Sequence, residues 1–208
     1  MATILRDLSY RYQWLYDGIS RVAALSVGGE SRFRQLALTG IEWTPDLRVL
    51  DLCCGSGQAT QFLVQRSPHV TGLDASPFSI QRAQQNVPQA TFVEGFAEAL
   101  PFADRSFDVV HTSAALHEMA PAQRQKILQE AYRVLRSPGW LTLVDFHPPT
   151  NPLFRPGLSL FLLLFETETA WDLLRSDLPQ EITQVGFASV RQRLYAGGSL
   201  QVIQAQRL

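Results

Sequence analysis

The chain has 208 residues, 46% of them hydrophobic and 18% charged, which is enough apolar content for one cored domain and too much for a disordered tail. A net charge of -1 and a pI near 6.4 give no general attraction for nucleic acid, and the basic residues, all arginine except Lys126, form no run. Cys53 and Cys54 are adjacent, which suits neither a structural disulfide nor a zinc ligand set, so no metal and a reducing, cytoplasmic setting are expected.

In chain order, Met1 to Ser9 lacks the apolar stretch of a secretion signal. Residues 1–44 read as a helical segment with aromatics at Tyr10, Tyr12, Trp14 and Tyr16, a break at Gly28-Gly29 and a second short helix over Ser31 to Leu38. Trp43-Thr44-Pro45 marks a loop, and a strand-helix rhythm begins. Arg48 to Leu52 is a buried-strand pattern that runs into Gly55-Ser56-Gly57, with a helix predicted over Gln58 to Gln65. A second strand, Val70 to Leu73, ends at Asp74, and Ser76-Pro77 starts a helix because serine caps and proline is favoured in a first turn.

Thr91 to Val93 and Phe107 to His111 are further strands. Pro121 to Arg136 carries an apolar stripe of Ile127, Ala131 and Leu135 flanked by Leu128 and Tyr132, so a helix is predicted there, stopped by Ser137-Pro138-Gly139. Trp140 to Phe146 is a fifth strand. An irregular, partly helical region follows, then a helix over Pro179 to Val185 and a closing strand pair, Val190 to Tyr195 and Leu200 to Ala205. The most apolar stretch, Leu158 to Phe165, has eight residues against the roughly 20 a membrane-crossing helix needs. No transmembrane segment is expected, and contact with a membrane surface stays open.

Short apolar strands alternating with helices predict a mostly parallel sheet with helices on both faces. Ligands of such sheets sit at the carboxyl ends of the strands, where Asp51, Asp74, Glu94 and His111 would line up. Gly55 and Gly57 permit positive φ and let a ligand lie against bare backbone. Asp74, 17 residues after Gly57 and at the next strand's end, can accept hydrogen bonds from both hydroxyls of a ribose. An adenosine-bearing cofactor follows. A dinucleotide fingerprint wants a third glycine or alanine where Thr60 stands, which disfavours NAD.

Val49 to Gly57, V-L-D-L-C-C-G-S-G, resembles the first motif of the class I S-adenosylmethionine-dependent methyltransferases, and Val70 to Ser76 resembles the second. Phe92 to Ser113 and Arg133 to Leu141 resemble the later ones, so the likeness covers about residues 45 to 146. Most of that family have glycine where this chain has Cys53; C-C-G occurs in some of its quinone-methylating members. The segment from Tyr16-Asp17 through Leu25 to Gly28 and on to Arg32 and Arg34 is similar to the N-terminal region of ubiquinone and menaquinone C-methyltransferases, which closes over the cofactor. The resemblance implies a Rossmann-like fold: a mostly parallel seven-stranded sheet, helices on both faces and an antiparallel final strand. It also implies one domain over 1–208, with a helical lid at 1–44, a cofactor core at 45–146, a helical acceptor-pocket insertion at 147–178 and closing elements at 179–208.

By the same resemblance S-adenosylmethionine is the cofactor, with Tyr16 in the lid over it and Asp74 on its ribose. Asp51 orients the first loop or the methionine amino group. Cys53, Gly55 and Gly57 meet the methionine part through backbone, with Ser113 near it. Ala75 and Ala97 contact the adenine. The family usually has aspartate at Phe96, so here that ring can only stack or pack.

Methyl transfer from a sulfonium needs alignment and exclusion of water; a base is needed only when the acceptor must lose a proton. His117 and His147, following the fourth and fifth strands, are the candidate bases, against a structural role for either. The crowding of Leu158, Leu160 to Leu164 and Phe165 points to a hydrophobic small-molecule acceptor, a prenylated quinol or phenol among them, or to core packing. Five acidic and five basic residues beyond His147 argue against a phosphate-rich acceptor. The competing readings are a cofactor-binding but inactive methyltransferase-like partner protein and a NAD-dependent oxidoreductase. The sequence leaves the oligomeric state open.

Overall fold

The computed structural model describes residues 25, 27–165 and 167–208; Tyr16 and the aromatic segment around it lie outside the described residues. The strands are β1 (Arg48–Leu52), β2 (His69–Asp74), β3 (Thr91–Glu94), β4 (Phe107–Ser113), β5 (Leu135–Phe146), β6 (Ala188–Tyr195) and β7 (Leu200–Arg207). They form one sheet in the order β3-β2-β1-β4-β5-β7-β6. The pairings from β3 across to β5 are parallel, and β7 inserts antiparallel between β5 and β6. This is the mostly parallel seven-stranded sheet with an antiparallel close that the sequence predicts.

The helices are α1 (Glu30–Gln35), continued by a 3-10 turn at Leu36–Leu38, α2 (Thr60–Leu63), α3 (Pro77–Asn86), α4 (Pro121–Val134), α5 (Arg155–Phe165), α6 (Glu168–Arg175) and α7 (Leu178–Val185). Successive strand residues point to opposite faces, so the nearly unbroken apolar runs of β1 and β4 feed two layers. Val49 and Val109 pack with Leu38, Leu63 and Val70 on one face. Leu50, Leu52, Val110, Leu141 and Leu143 pack on the other against Ile127, Leu128 and Ala131 of α4, Leu173 of α6 and Ile182 of α7.

Ser76 caps α3 by accepting from the Ser79 amide at 3.3 Å, with Pro77 behind it in the first turn. Two helix ends differ from the sequence reading. The α2 helix is only four residues long, because residues 55–59 are spent in the turn after β1. The α4 helix stops at Val134, ahead of Ser137-Pro138-Gly139. There the chain passes into β5 at Leu135, and the Arg207 guanidinium on β7 caps the end by donating to the carbonyls of Tyr132, Arg133 and Leu135.

The α4 and α7 helices are tied by Arg124, which is 1% exposed and donates Nε and Nη2 to the two Glu181 carboxylate oxygens, each at 2.7 Å. A buried guanidinium holds its charge at low cost only while both oxygens face it. Glu181→Ala, which strands that charge, should lower unfolding free energy by about 3 kcal/mol. Replacing Arg124 by Leu in the same chain should recover much of the loss in urea titrations.

Candidate cofactor and acceptor site

The carboxyl ends of β2, β1 and β4 open into one cavity of about 790 Å³. Its floor is the turn after β1. There Cys53, Gly55 and Gly57 take φ of 57, 55 and 88°, a left-handed run that glycine adopts without strain and cysteine does not. A Cβ on Gly57 would also meet the Val87 methyl at 3.1 Å, so this residue seats the turn against the end of α3. Cys53 and Gly55 line the cavity. Burial pushes both cysteine thiols up beyond their ordinary range, which keeps them neutral and unreactive.

Asp74 stands on the cavity wall at the end of β2. Its Oδ2 accepts from the Gly55 amide at 2.9 Å and its Oδ1 from the Ser76 amide at 2.9 Å, so the carboxylate is aimed before any ligand arrives. Ala75 and Phe78 extend the wall beyond it, and Ser113 closes the opposite side at the end of β4.

Asp51, one residue before the end of β1, is 1% exposed and accepts from the Thr60 hydroxyl at 2.6 Å. Burial raises its pKa from 3.8 to about 7, against the lowering effects of the Thr60 hydrogen bond and of Arg34. Thr60, whose only sequence signal was a missing glycine, therefore sets the orientation of Asp51. Asp51, Cys53, Gly55, Asp74, Ala75 and Ser113 thus share one cavity.

A methyltransferase domain model matches residues 49–139. An uncharacterised methyltransferase of Synechocystis sp. is 57% identical over 206 residues, covering 99% of this chain and 97% of the relative. A demethylmenaquinone methyltransferase of Renibacterium salmoninarum is 30% identical over 217 residues, covering 95% and 88%. The crystal structure of an S-adenosylmethionine-dependent methyltransferase from Thermotoga maritima superposes with a TM-score of 0.65 at 20% identity, covering 98% of this chain and all of that one (100%). This chain belongs to the class I methyltransferases.

Not every residue expected at this methyltransferase site reaches the cavity wall. After β3 the Gly95 amide still pairs with the Asp74 carbonyl at 3.0 Å. Ala97 is packed into the core at 5% exposure, and Phe96 is 64% exposed; neither lines the cavity. His147 is half-buried, with Nδ1 on the Gly198 carbonyl at 2.8 Å, and lies off the cavity too.

His117 is buried in the 3-10 turn Leu116–Glu118 after β4, and its neighbours Ala115, Glu118 and Met119 line the cavity in its place. Its Nδ1 lies 2.7 Å from Asp145 Oδ1 on β5. The same carboxylate accepts from the amides of Leu116, His117 and Phe146 at 2.8, 3.2 and 2.8 Å, so Asp145 fixes this whole turn. The sequence offered one hint of Asp145, an acid inside an apolar strand.

The Asp51 proton fixes a direction for pH dependence. The unfolded chain releases it near pH 4 and the folded one near 7, so the native state binds more protons between those values and its stability falls as pH rises. Against Asp51→Asn, which carries no such proton, the wild type should lose up to about 4 kcal/mol of relative stability between pH 4 and 8 in urea titrations of the ligand-free protein.

Proposed function

We propose that this protein transfers a methyl group from S-adenosylmethionine to an apolar ring acceptor, a prenylated quinol or phenol. The observation that carries the cofactor half is the Asp74 carboxylate, preset by two amides, facing one cavity with the glycine turn and Ser113. This donor set fits an adenosine with an amino-acid tail: a carboxylate for two ribose hydroxyls, bare main chain for the tail, and room for the whole molecule. When bound, S-adenosylmethionine supplies an electrophilic methyl on a sulfonium, a leaving group that needs no protonation.

The residues of the chain then bind, align and keep water out. Asp74 holds the sugar, the Gly55 turn bears on the tail, and the turn fixed by Asp145 brings Glu118 and Met119 to the acceptor side. We assign residues 147–178 to the acceptor. The α6 helix packs on the turn carrying His117. Phe146 stands between the His117 and Phe161 rings, with centroids 4.5 and 5.7 Å away.

Core packing alone does not account for α5. Leu162 is fully buried there, but Leu160 and Leu163 are 57% and 64% exposed, as is Leu153 just before the helix at 85%. Such an apolar surface suits a greasy acceptor delivered from a membrane surface. No helix among the described residues is long and apolar enough to cross a membrane. The demethylmenaquinone methyltransferase relative supports the same acceptor class.

Asp74→Ala should weaken S-adenosylhomocysteine binding at least about 100-fold in calorimetry, the loss of two hydrogen bonds to a charged group. Wild-type protein given radiolabelled S-adenosylmethionine and demethylated prenylquinols in detergent should label the lipid fraction. Label appearing only in polar metabolites or peptides would overturn the acceptor class, and unchanged affinity in Asp74→Ala would overturn the cofactor site.

A further inference from the structure

Arg34 is a charged group of the cavity for which methyl transfer, as set out above, provides no task. It comes from α1, is 5% exposed, and lines the cavity together with Asp51 and Ser113. Nη1 donates to the Ser113 hydroxyl at 3.3 Å, a long contact, and Nη2 lies 4.0 Å from Glu30 Oε1, beyond hydrogen-bond reach. Nε is buried with no hydrogen-bond partner among the described residues. Leaving a donor of a buried cation unmet is costly and calls for an explanation; unlike Arg124, whose Nη1 is also unmet in the core, Arg34 stands on the wall of a cavity where a ligand can complete its set.

The sheet order fixes which part of a ligand would meet it. Asp74 on β2, Asp51 on β1 and Ser113 on β4 stand on three neighbouring strands, in that sequence across the cavity. With the ribose on Asp74, an adenine placed over Ala75 and Phe78 would leave the amino-acid tail to run inward across β1 toward β4. A methionine tail carries one ammonium and one carboxylate. The inward end of the cavity offers two carboxyl groups, Asp51 and Glu118, and one guanidinium, Arg34.

We propose that Arg34 binds the α-carboxylate of the cofactor's methionine part, completing its donor set with Nε and the Nη groups, and that Ser113 shares this contact. Arg34 is then a specificity-determining residue: it makes the site require an amino-acid tail and reject adenosine thioethers that lack the carboxylate. This rests on the cofactor reading above. A guanidinium suits the task because its planar fork pairs with both carboxylate oxygens at once. The plainer alternative is that Arg34 is a strap joining α1 to the end of β4.

Calorimetry on the full chain separates the two, using S-adenosylmethionine, its decarboxylated form and methylthioadenosine, which has neither tail charge. Wild type should bind decarboxylated S-adenosylmethionine about 10- to 100-fold more weakly than the intact cofactor, the range for charge-assisted hydrogen bonds. Arg34→Met should lose a similar factor for the intact cofactor while its affinity for the other two ligands stays that of wild type, and Arg34→Lys should recover part of the loss. An equal loss for all three ligands would make Arg34 a strap and overturn the proposal. So would a wild type that does not distinguish the decarboxylated cofactor, a comparison that needs no variant to fold. A wild type that binds intact cofactor in an Asp74-dependent, Arg34-independent way overturns only this inference. One that binds none of the three ligands overturns the cofactor reading with it.

Discussion

The site exists because the chain leaves β1 in one direction and returns on its other side. From β1 the sheet is built outward through β2 and β3, and the next strand, β4, pairs with the opposite edge of β1. The crossovers after β1 and β4 therefore diverge, and a crevice opens at the carboxyl ends between them. In register, Asp51 faces Gly72 on one side and His111 on the other, so the acid sits at the base of that crevice. Close packing holds the arrangement. A Cβ on Gly72 would stand 2.7 Å from the Phe92 ring and 2.9 Å from Cys54 Sγ, so the glycine of β2 is what lets the second cysteine tuck beneath the turn.

Features that depend on local chemistry were legible in the amino-acid order. Apolar runs of four or five residues ended by Asp or Gly mark the strands, Ser76-Pro77 marks a capped helix start, and the β1 turn and Asp74 mark the sheet edge where the cavity opens. Features that depend on a distant partner were not. The end of α4 comes two residues earlier than the Ser137-Pro138-Gly139 stop predicts, and Arg207, more than 70 residues away, caps it. Thr60 looked like a lapse in a dinucleotide pattern, but its hydroxyl is the donor that holds Asp51. Phe96 and Ala97 come from resemblance alone; the packing of Ala97 into the core and the exposure of the Phe96 ring depend on neighbours far away in the sequence. Arg34 was noticed only as one of two arginines in a segment of weak likeness, because nothing local reveals that its side chain enters the cavity.

The electrostatics at the end of β1 set a buried acid beside a buried cation, neither of them fully satisfied by the protein. Asp51 is buried deeply enough that its proton stays on to about pH 7. Arg34 remains nearby with a donor unmet. His111, on the neighbouring strand, is held neutral: burial first, and then Arg34, lower its pKa to about 3, and its Nδ1 pairs with the Thr142 hydroxyl at 2.9 Å. A second cation beneath Arg34 would repel it, and a neutral ring does not. A zwitterionic tail bound here would let Asp51 ionise beside an ammonium and Arg34 pair with a carboxylate, so two buried groups reach their preferred states in one event.

The β5 side of the cavity is built on a different principle, a single carboxylate that organises main chain. Asp145 takes its hydrogen bonds from three amides and the His117 ring, and so it decides where the turn after β4 lies. That turn presents Glu118 and Met119 to the cavity on one side. On the other side it carries the His117 ring against Phe146, which in turn meets Phe161 of α5. Packed rings transmit displacement because the interior has little free volume to absorb it. The helix with the exposed leucines and the wall of the cavity are therefore joined by one packed path: Phe161, Phe146, His117, and the turn that Asp145 holds.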